Sequence, residues 1–157
     1  MKGNPDVIKA LQQVLEAEMT AINQYFLHAE MCEDWGLTAL SQHIKRDSID
    51  EMKHAEIAIE RMLYLEGSPN MSPRLELNIG GTVEEMFKND LALEYKAVEN
   101  LNKHITRAAE VGDNGTRDIF LGILKDEERH VEWLETQLAL IEQIGLQNYL
   151  AKYTGQE

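Results

Sequence analysis

Apolar residues recur every three or four positions along most of the chain, which is the spacing of one face of an α-helix. The pattern stops where glycine and proline occur, and it resumes after each break. We therefore predict four long helices and a short fifth helix, at about 5–34, 39–65, 83–111, 116–144 and 146–152.

The connections between the predicted helices differ in length. The turns after the first and third helices are short, and each contains a glycine, Gly36 or Gly112, that suits the left-handed end of a helix. The connection at 66–82 is long, holds two of the three prolines, and ends at "TVEE", a capping box that opens the next helix. Two short turns and one long crossover predict an all-α four-helix bundle, formed as one domain by residues 1–157.

Polar residues interrupt each of the four apolar stripes. Every stripe contains a glutamate where an apolar residue is expected, and two stripes also contain a histidine three residues after the glutamate. Residues three apart share a helix face, so folding would bury four carboxylates and two imidazoles in the middle of the bundle. These residues are Glu18, Glu51, His54, Glu94, Glu127 and His130.

The two halves of the sequence repeat each other. A shift of 76 residues places "SIDEMKHAE" on "LKDEERHVE", Glu18 on Glu94, and Gly36 on Gly112. Both the polar core positions and the helix-ending glycines match. We therefore interpret the halves as two copies of one helical hairpin, related by a pseudo-twofold axis.

Four buried carboxylates need compensation, because an isolated buried charge is very unfavourable. No lysine or arginine lies on the stripes close to the six positions. Two divalent cations would balance four glutamates, and carboxylate with imidazole ligation suits iron, manganese or zinc. Di-iron carboxylate bundles use this set, one Glu from each of two helices and Glu-x-x-His from each of the other two. The alternative interpretation is a buried polar network without metal.

The repeat assigns a role to each member of the predicted dinuclear site. We predict that Glu18 and Glu94 are terminal ligands and that Glu51 and Glu127 bridge the two ions. His54 and His130 are the predicted imidazole ligands. Tyr25 lies seven residues after Glu18 on the same face, where it either hydrogen-bonds a carboxylate or packs in the core. His28 and its repeat mate His104 lie off the stripe, so we do not predict them to bind metal.

A second apolar stripe on the helix predicted at 39–65 faces away from this site. It comprises Ile49, Met52, Ile59 and Leu63. Burial on two sides of one helix predicts contact with a partner subunit.

The composition limits the classes of partner. The net charge of −13 argues against nucleic acid and anionic membranes and favours cations. The single cysteine, Cys32, excludes an internal disulfide and a Cys-x-x-Cys metal site. No apolar run reaches the length of a membrane span, and the start "MKGNPDVIKAL" lacks the apolar core of a signal peptide. We expect a reducing, cytoplasmic setting and no membrane partner.

Short segments spread over the chain are specific in combination: "MKG", "AINQYFLHAEM", "SIDEMKHAE", "YLEGSPN", "LALE", "DEERHVEWLE" and "GLQNYL". Together they resemble the bacterioferritins, which are haem-containing ferritins. The resemblance covers essentially the whole chain. It implies a ferritin-like bundle that forms twofold dimers and assembles into a hollow shell of 24 subunits.

The same resemblance implies an activity. Such a protein is a ferroxidase that oxidises Fe(II) to Fe(III) with O₂ or H₂O₂ at a dinuclear iron site and stores ferric mineral inside the shell. The family's ferroxidase ligands match all six residues predicted above to bind metal.

The resemblance also implies haem b at a twofold subunit interface, with Met52 as the axial ligand from each partner. Haem would carry electrons inward for iron release, with a ferredoxin-type protein as donor. Some family members bind a further iron on the inner surface through a histidine and the match to Asp50. Here Arg46 replaces that histidine, and its positive charge argues against this inner site.

Two other functions compete with iron storage. One is a di-iron or di-manganese oxidase or peroxidase that stores nothing, which would form a small oligomer instead of a shell. The other is a non-enzymatic subunit for haem binding or assembly, which would leave Fe(II) unoxidised.

Overall fold

A computed structural model describes residues 1–154 of the chain. Five α-helices occur in this range, and no β-strand: α1 Pro5–Asp34, α2 Thr38–Tyr64, α3 Val83–Glu110, α4 Asn114–Ile144 and α5 Leu146–Ala151. The predicted all-α class, with four long helices and a short C-terminal helix, is confirmed.

The helix ends follow from local hydrogen bonds. The side chain of Thr82 accepts from the N–H of Glu85 at the start of α3, but the Glu85 carboxylate accepts from Gly81 instead of completing the box at Thr82. Helix α4 begins two residues before its predicted start, because Asp113 caps it by accepting from the N–H of Thr116.

The helices pack as two antiparallel hairpins, α1 with α2 and α3 with α4, and α1 also packs on α3. Gly36 and Gly112, each just past the end of the first helix of its hairpin, have φ of 83° and 76°. A side chain at this left-handed φ would be strained, so glycine suits both turns.

The core is divided into two apolar clusters. The first contains Leu11, Leu15, Met62, Leu101 and Phe120 among its members. The second contains Leu40, Ile44, Phe87, Leu134 and Tyr149 among its members. On every long helix, the polar residues predicted above fall between the segments that form the two clusters, so they make a polar layer across the middle of the bundle.

Three side chains of α1 hold the long crossover between α2 and α3. Gln12 accepts from the N–H of Asn70 at 2.9 Å. Farther along, Gln24 accepts from the N–H of Asn78 at 2.9 Å, and His28 Nε2 accepts from the N–H of Gly80 at 3.0 Å. The crossover is therefore tied to the bundle along much of its length.

Three members of the second stripe of α2 face outward: Ile49, Met52 and Leu63 are 48%, 56% and 58% exposed. The fourth, Ile59, is half-buried and packs against the first apolar cluster. Such an apolar surface indicates a contact with another protein chain. Within residues 1–154, none of the helices is both long enough and apolar enough to cross a lipid bilayer.

Candidate metal centre

The fold brings all six predicted metal ligands together. They form two overlapping groups, and in each group one ligand atom from every residue lies within 4.8 Å of the others. The groups are Glu18, Glu51, His54 and Glu127, and Glu51, Glu94, Glu127 and His130. Glu51 and Glu127 belong to both groups. We call the whole set the six-residue cluster.

The cluster is almost completely shielded from solvent. The four glutamate side chains are only 1–2% exposed, and those of His54 and His130 are 5% and 11% exposed. Each carboxylate has an imidazole as an ion-pair partner; the shortest of these distances is 3.1 Å, from His54 Nδ1 to Glu127 Oε1. On the other side, His130 Nδ1 lies 3.2 Å from Glu51 Oε1.

Several buried polar atoms of the cluster have no hydrogen-bond partner among the described residues. They are Glu18 Oε2, Glu51 Oε1, His54 Nδ1, Glu94 Oε2 and Glu127 Oε1. An unsatisfied buried acceptor costs about 1–3 kcal/mol, and more when it is charged. All of these atoms are oxygen or imidazole nitrogen, the donors that suit iron, manganese or zinc. The residues present therefore fit a pair of divalent cations.

The pKa values of the four glutamates reflect their burial and the crowding of like charges. Burial raises the pKa of Glu18 well above its usual value, and the neighbouring carboxylates of Glu51 and Glu127 add to this. Burial also raises the pKa of Glu94 and of Glu127. Burial alone would raise the pKa of Glu51 too, but hydrogen bonds from both imidazoles outweigh it and lower the pKa.

Burial and the neighbouring carboxylates shift the pKa of each imidazole in opposite directions. Burial alone would lower the pKa of His54, yet its contacts with Glu127, Glu18 and Glu51 raise it to about 12. The pKa of His130 is likewise raised to about 12 by its neighbouring carboxylates, against the effect of burial. Without metal, both rings are therefore imidazolium at neutral pH and partly neutralise the carboxylates.

Further carboxylates lie on the outer edge of each imidazole. His54 Nε2 is 2.8 Å from Asp126 Oδ2, and Asp126 also forms a close ion pair with Arg129. His130 Nε2 is 3.7 Å from Asp47 Oδ1 and 3.9 Å from Asp50 Oδ2. The 76-residue repeat relates Asp126 to Asp50, and the sequence analysis predicted no role for Asp126.

The remaining residues singled out in the sequence take different positions. The hydroxyl of Tyr25 contacts Glu94 Oε1, one of its two predicted roles. His28 lies outside the cluster, where its Nδ1 donates to Asp90. Met52 lies on the outward face of α2, and Asp50 is 49% exposed beside His130.

A cavity of about 530 Å³ leads from the surface to the cluster between α1, α3 and the crossover. All four carboxylates of the cluster line it, together with Glu16 and Glu76 nearer the surface. Arg74 and Lys96 also line it, so carboxylates outnumber cationic groups six to two. Negative lining of this kind raises the local concentration of cations.

Comparison with known proteins places this geometry in context. Residues 8–144 match the family model of the ferritin-like domain, "Ferritin". The bacterioferritin of Mycolicibacterium paratuberculosis is 43% identical over 152 residues, which cover 97% of this chain and 96% of the relative. The bacterial ferritin of Synechocystis sp. is 45% identical over 151 residues, 96% of this chain and 97% of the relative. The bacterioferritin of Streptomyces coelicolor is 42% identical over 151 residues, 96% of this chain and 90% of the relative.

Proposed function

Because the chain belongs to the ferritin family and is similar to bacterioferritins over nearly its whole length, we propose that it oxidises Fe(II) at the six-residue cluster and stores the ferric product. In this proposal, 24 copies form the shell that holds the mineral. Fe(II) and O₂ or H₂O₂ are the substrates, and the protein works in the cytoplasm.

One observation carries the proposal: five buried polar atoms, although close to groups of opposite charge, have no hydrogen-bond partner among residues 1–154, and they belong to two overlapping groups of ligands. Four glutamates and two imidazoles have a net charge of −4 when fully deprotonated, which two divalent cations cancel. A structural polar network would instead satisfy its buried acceptors internally.

Each residue has a definite task in this chemistry. Glu51 and Glu127, which the two groups share, would hold both ions, and Glu18 and Glu94 would hold one ion each. His54 and His130 give up their Nδ1 protons and become neutral donors. The two Fe(II) ions together supply two electrons to O₂ or H₂O₂. The burial of the cluster keeps the ions away from bulk water, apart from the cavity that admits them.

A direct test mixes metal-free protein with Fe(II) in air and follows the ferric absorbance. We expect a rapid phase that consumes about two Fe(II) per chain. The Glu94→Ala variant should lose this phase, and Glu99→Ala, which removes an exposed carboxylate from the same helix, should keep it. A normal rapid phase in Glu94→Ala would mean that the cluster is not the oxidation site.

Storage needs its own measurement, because a di-iron oxidase or peroxidase would also show the rapid phase. We expect a large excess of iron to stay soluble and to elute with a particle of shell size. If the iron precipitates while the protein elutes as a dimer, the enzyme without storage is the better description.

Haem at Met52 is a separate part of the proposal. Met52 is 56% exposed on an outward apolar stripe of α2, where a thioether from each of two copies could bind one haem b. The resemblance to bacterioferritins supports this, with a ferredoxin-type electron donor for iron release. Met52→Leu should purify without a Soret band, while Met71→Leu, equally exposed at 55%, should keep it. Full haem in Met52→Leu would exclude this ligand.

Asp50 remains a proposed ligand for iron on the inner surface. Its Oδ2 lies 3.9 Å from His130 Nε2. Its proximity to the cluster supports this role. Arg46, which stands where some family members have a histidine, argues against it.

A further inference from the structure

The repeat makes the two halves of the six-residue cluster look equivalent, but their surroundings differ. Each half has one imidazole and one terminal carboxylate: His54 with Glu18, and His130 with Glu94. The inference below rests on the proposed binding of two divalent cations by this cluster.

The imidazole of His54 is held on both ring edges. Its Nε2 donates to Asp126 Oδ2 at 2.8 Å, a charge-assisted hydrogen bond. Asp126 is itself held by the close ion pair with Arg129. With Nε2 occupied in this way, Nδ1 faces Glu127 at 3.1 Å and Glu18 at 3.5 Å. The metal-binding nitrogen is therefore oriented before any cation arrives.

The imidazole of His130 lacks an equivalent contact. Asp50 is the repeat mate of Asp126, yet its Oδ2 lies 3.9 Å from His130 Nε2, and Asp47 Oδ1 lies at 3.7 Å. Both distances are too long for a hydrogen bond. His130 Nδ1 lies 3.2 Å from Glu51 Oε1 and 3.4 Å from Glu94 Oε1. The Nε2 edge of this ring is therefore less constrained than that of His54.

The hydrogen bonds to the two terminal carboxylates, Glu18 and Glu94, also differ. Tyr25 donates its hydroxyl hydrogen to Glu94 Oε1, which takes electron density from an atom that would bind metal. The repeat mate of Tyr25 is Leu101, which has no hydrogen to donate to Glu18. Glu18 Oε2 and Glu94 Oε2 are both buried without a hydrogen-bond partner among residues 1–154, so the difference between the two carboxylates is the tyrosine contact at Glu94 Oε1.

We propose that Asp126 is a positioning residue that makes the two metal positions unequal, so that the position formed with His54 and Glu18 binds a divalent cation first and more tightly. Carboxylates that hydrogen-bond a ligating histidine fix its orientation and raise its basicity, and their loss typically costs about 10–100-fold in metal affinity. The position formed with His130 and Glu94 then fills second.

The test titrates the metal-free, full-length protein with Co(II) without oxygen and follows the visible absorption of each binding step. Wild type should bind in two steps. Asp126→Asn and Asp126→Ala should weaken the first step about 10–100-fold and leave the second unchanged. The first-step spectrum should shift in Asp126→Ala, because the ring is no longer oriented. His54→Gln should abolish the step that Asp126 affects.

Glu128→Gln is the control, because it removes the same charge from an exposed carboxylate of α4 two residues away from Asp126. It should leave the first step unchanged, whereas a general loss of negative charge would weaken that step in both variants. The Asp126 side chain is 35% exposed, so both of its variants should fold, which circular dichroism checks.

The outcomes separate this inference from the proposed function. Two Co(II) steps of equal affinity in wild type would overturn it. So would a normal first step in both Asp126 variants, or an equal loss in Glu128→Gln. If wild type binds no Co(II) at the cluster, the proposed function itself fails.

Discussion

At the scale of single residues, the proposed metal binding would replace the protons of two imidazolium rings by metal cations. Before metal binds, the two imidazolium rings are the positive charges among four carboxylates, and each has a pKa of about 12. A metal ion needs the same Nδ1 atoms, so protons and metal compete for the cluster.

This competition predicts proton release. Because both imidazoles are protonated at neutral pH, binding of two Co(II) per chain should release about two protons from them, plus any proton held by glutamates of raised pKa. The apparent affinity should therefore rise as the pH is increased from 6 to 8, by about tenfold per pH unit for each proton displaced.

Calorimetric titration in two buffers of different ionisation enthalpy measures the number of protons released. His54→Gln, which should bind one Co(II) fewer, should release about one proton fewer per chain than wild type at saturation. A proton count near zero in wild type would show that the rings are neutral before metal binds.

At the scale of elements, the crossover depends on side chains of α1 that have no part in the metal centre. His28 accepts from Gly80 through Nε2, so its Nδ1 carries the hydrogen that is donated to Asp90. Gln24 donates to the same carboxylate at 2.8 Å and accepts from Asn78. This network joins α1, α3 and the crossover wall of the cavity.

We predict that His28→Ala loosens the crossover and destabilises the metal-free protein. Two buried hydrogen bonds are lost and a cavity is left, so about 2–4 kcal/mol of unfolding free energy should be lost. Hydrogen exchange at the Gly80 amide should quicken at least about tenfold. Mass spectrometry of the crossover peptide measures the exchange.

His104→Ala is the control for this change, because His104 is the repeat mate of His28 and its Nε2 has no hydrogen-bond partner among the described residues. It should alter the stability less and leave the Gly80 exchange unchanged. Normal exchange at Gly80 in His28→Ala would show that the network does not hold the crossover.

The N-cap of α4 gives a second prediction at this scale. Burial alone would raise the pKa of Asp113, but hydrogen bonds from Thr116 and Arg61 outweigh it and lower the pKa. A lowered pKa means that the carboxylate stabilises the fold above its unfolded pKa, and that this stabilisation is lost as the pH falls through the lower folded pKa.

Asp113→Ala should therefore cost about 1–2 kcal/mol at pH 7 and less at acidic pH. Asp113→Asn keeps a capping oxygen, so it should cost less and show a weaker pH dependence. Urea unfolding of the metal-free protein across this pH range measures both. An equal cost of Asp113→Ala at every pH would exclude the linkage.

At the scale of the whole molecule, the outward stripe of α2 needs a partner. Glu30 pairs with Lys45 at 2.9 Å, and Ser48 donates to the carbonyl of Ile22 at 3.0 Å. These contacts fix α1 beside α2. Phe26, which is 53% exposed, lies on α1 between Ile22 and Glu30 along the chain. The apolar surface thus extends over both helices of the first hairpin.

We predict that Leu63→Asp, at a position 58% exposed, prevents assembly of the full shell. A carboxylate buried in an apolar interface is unfavourable unless it is paired, and the cost recurs at every copy of the interface. Light scattering after size exclusion should show smaller species, while Leu63→Met should assemble normally. A complete shell in Leu63→Asp would place the subunit contact elsewhere.

Much of this organisation follows from the sequence, because periodicity and repetition are local signals. The apolar period and the glycines predict the four long helices, and the shift of 76 residues identifies the ligand set. Asp126 was not assigned a role, since its contact with His54 joins α4 to α2 and depends on how the hairpins pack. The same limit applies to His28, whose partners lie 52 and 62 residues away.

The polar layer that separates the two apolar clusters has a consequence for durability. Without metal, the charges in the middle are only partly compensated. Each end of the bundle is then held by its own apolar contacts, and the centre weakens the cooperativity between the two ends. Cations held by ligands from all four long helices would join both ends into one unit. Each bound ion would therefore stabilise the subunit against unfolding. In a cell short of iron, the protein would then be less stable. Its rate of degradation would depend on the supply of the iron that it stores.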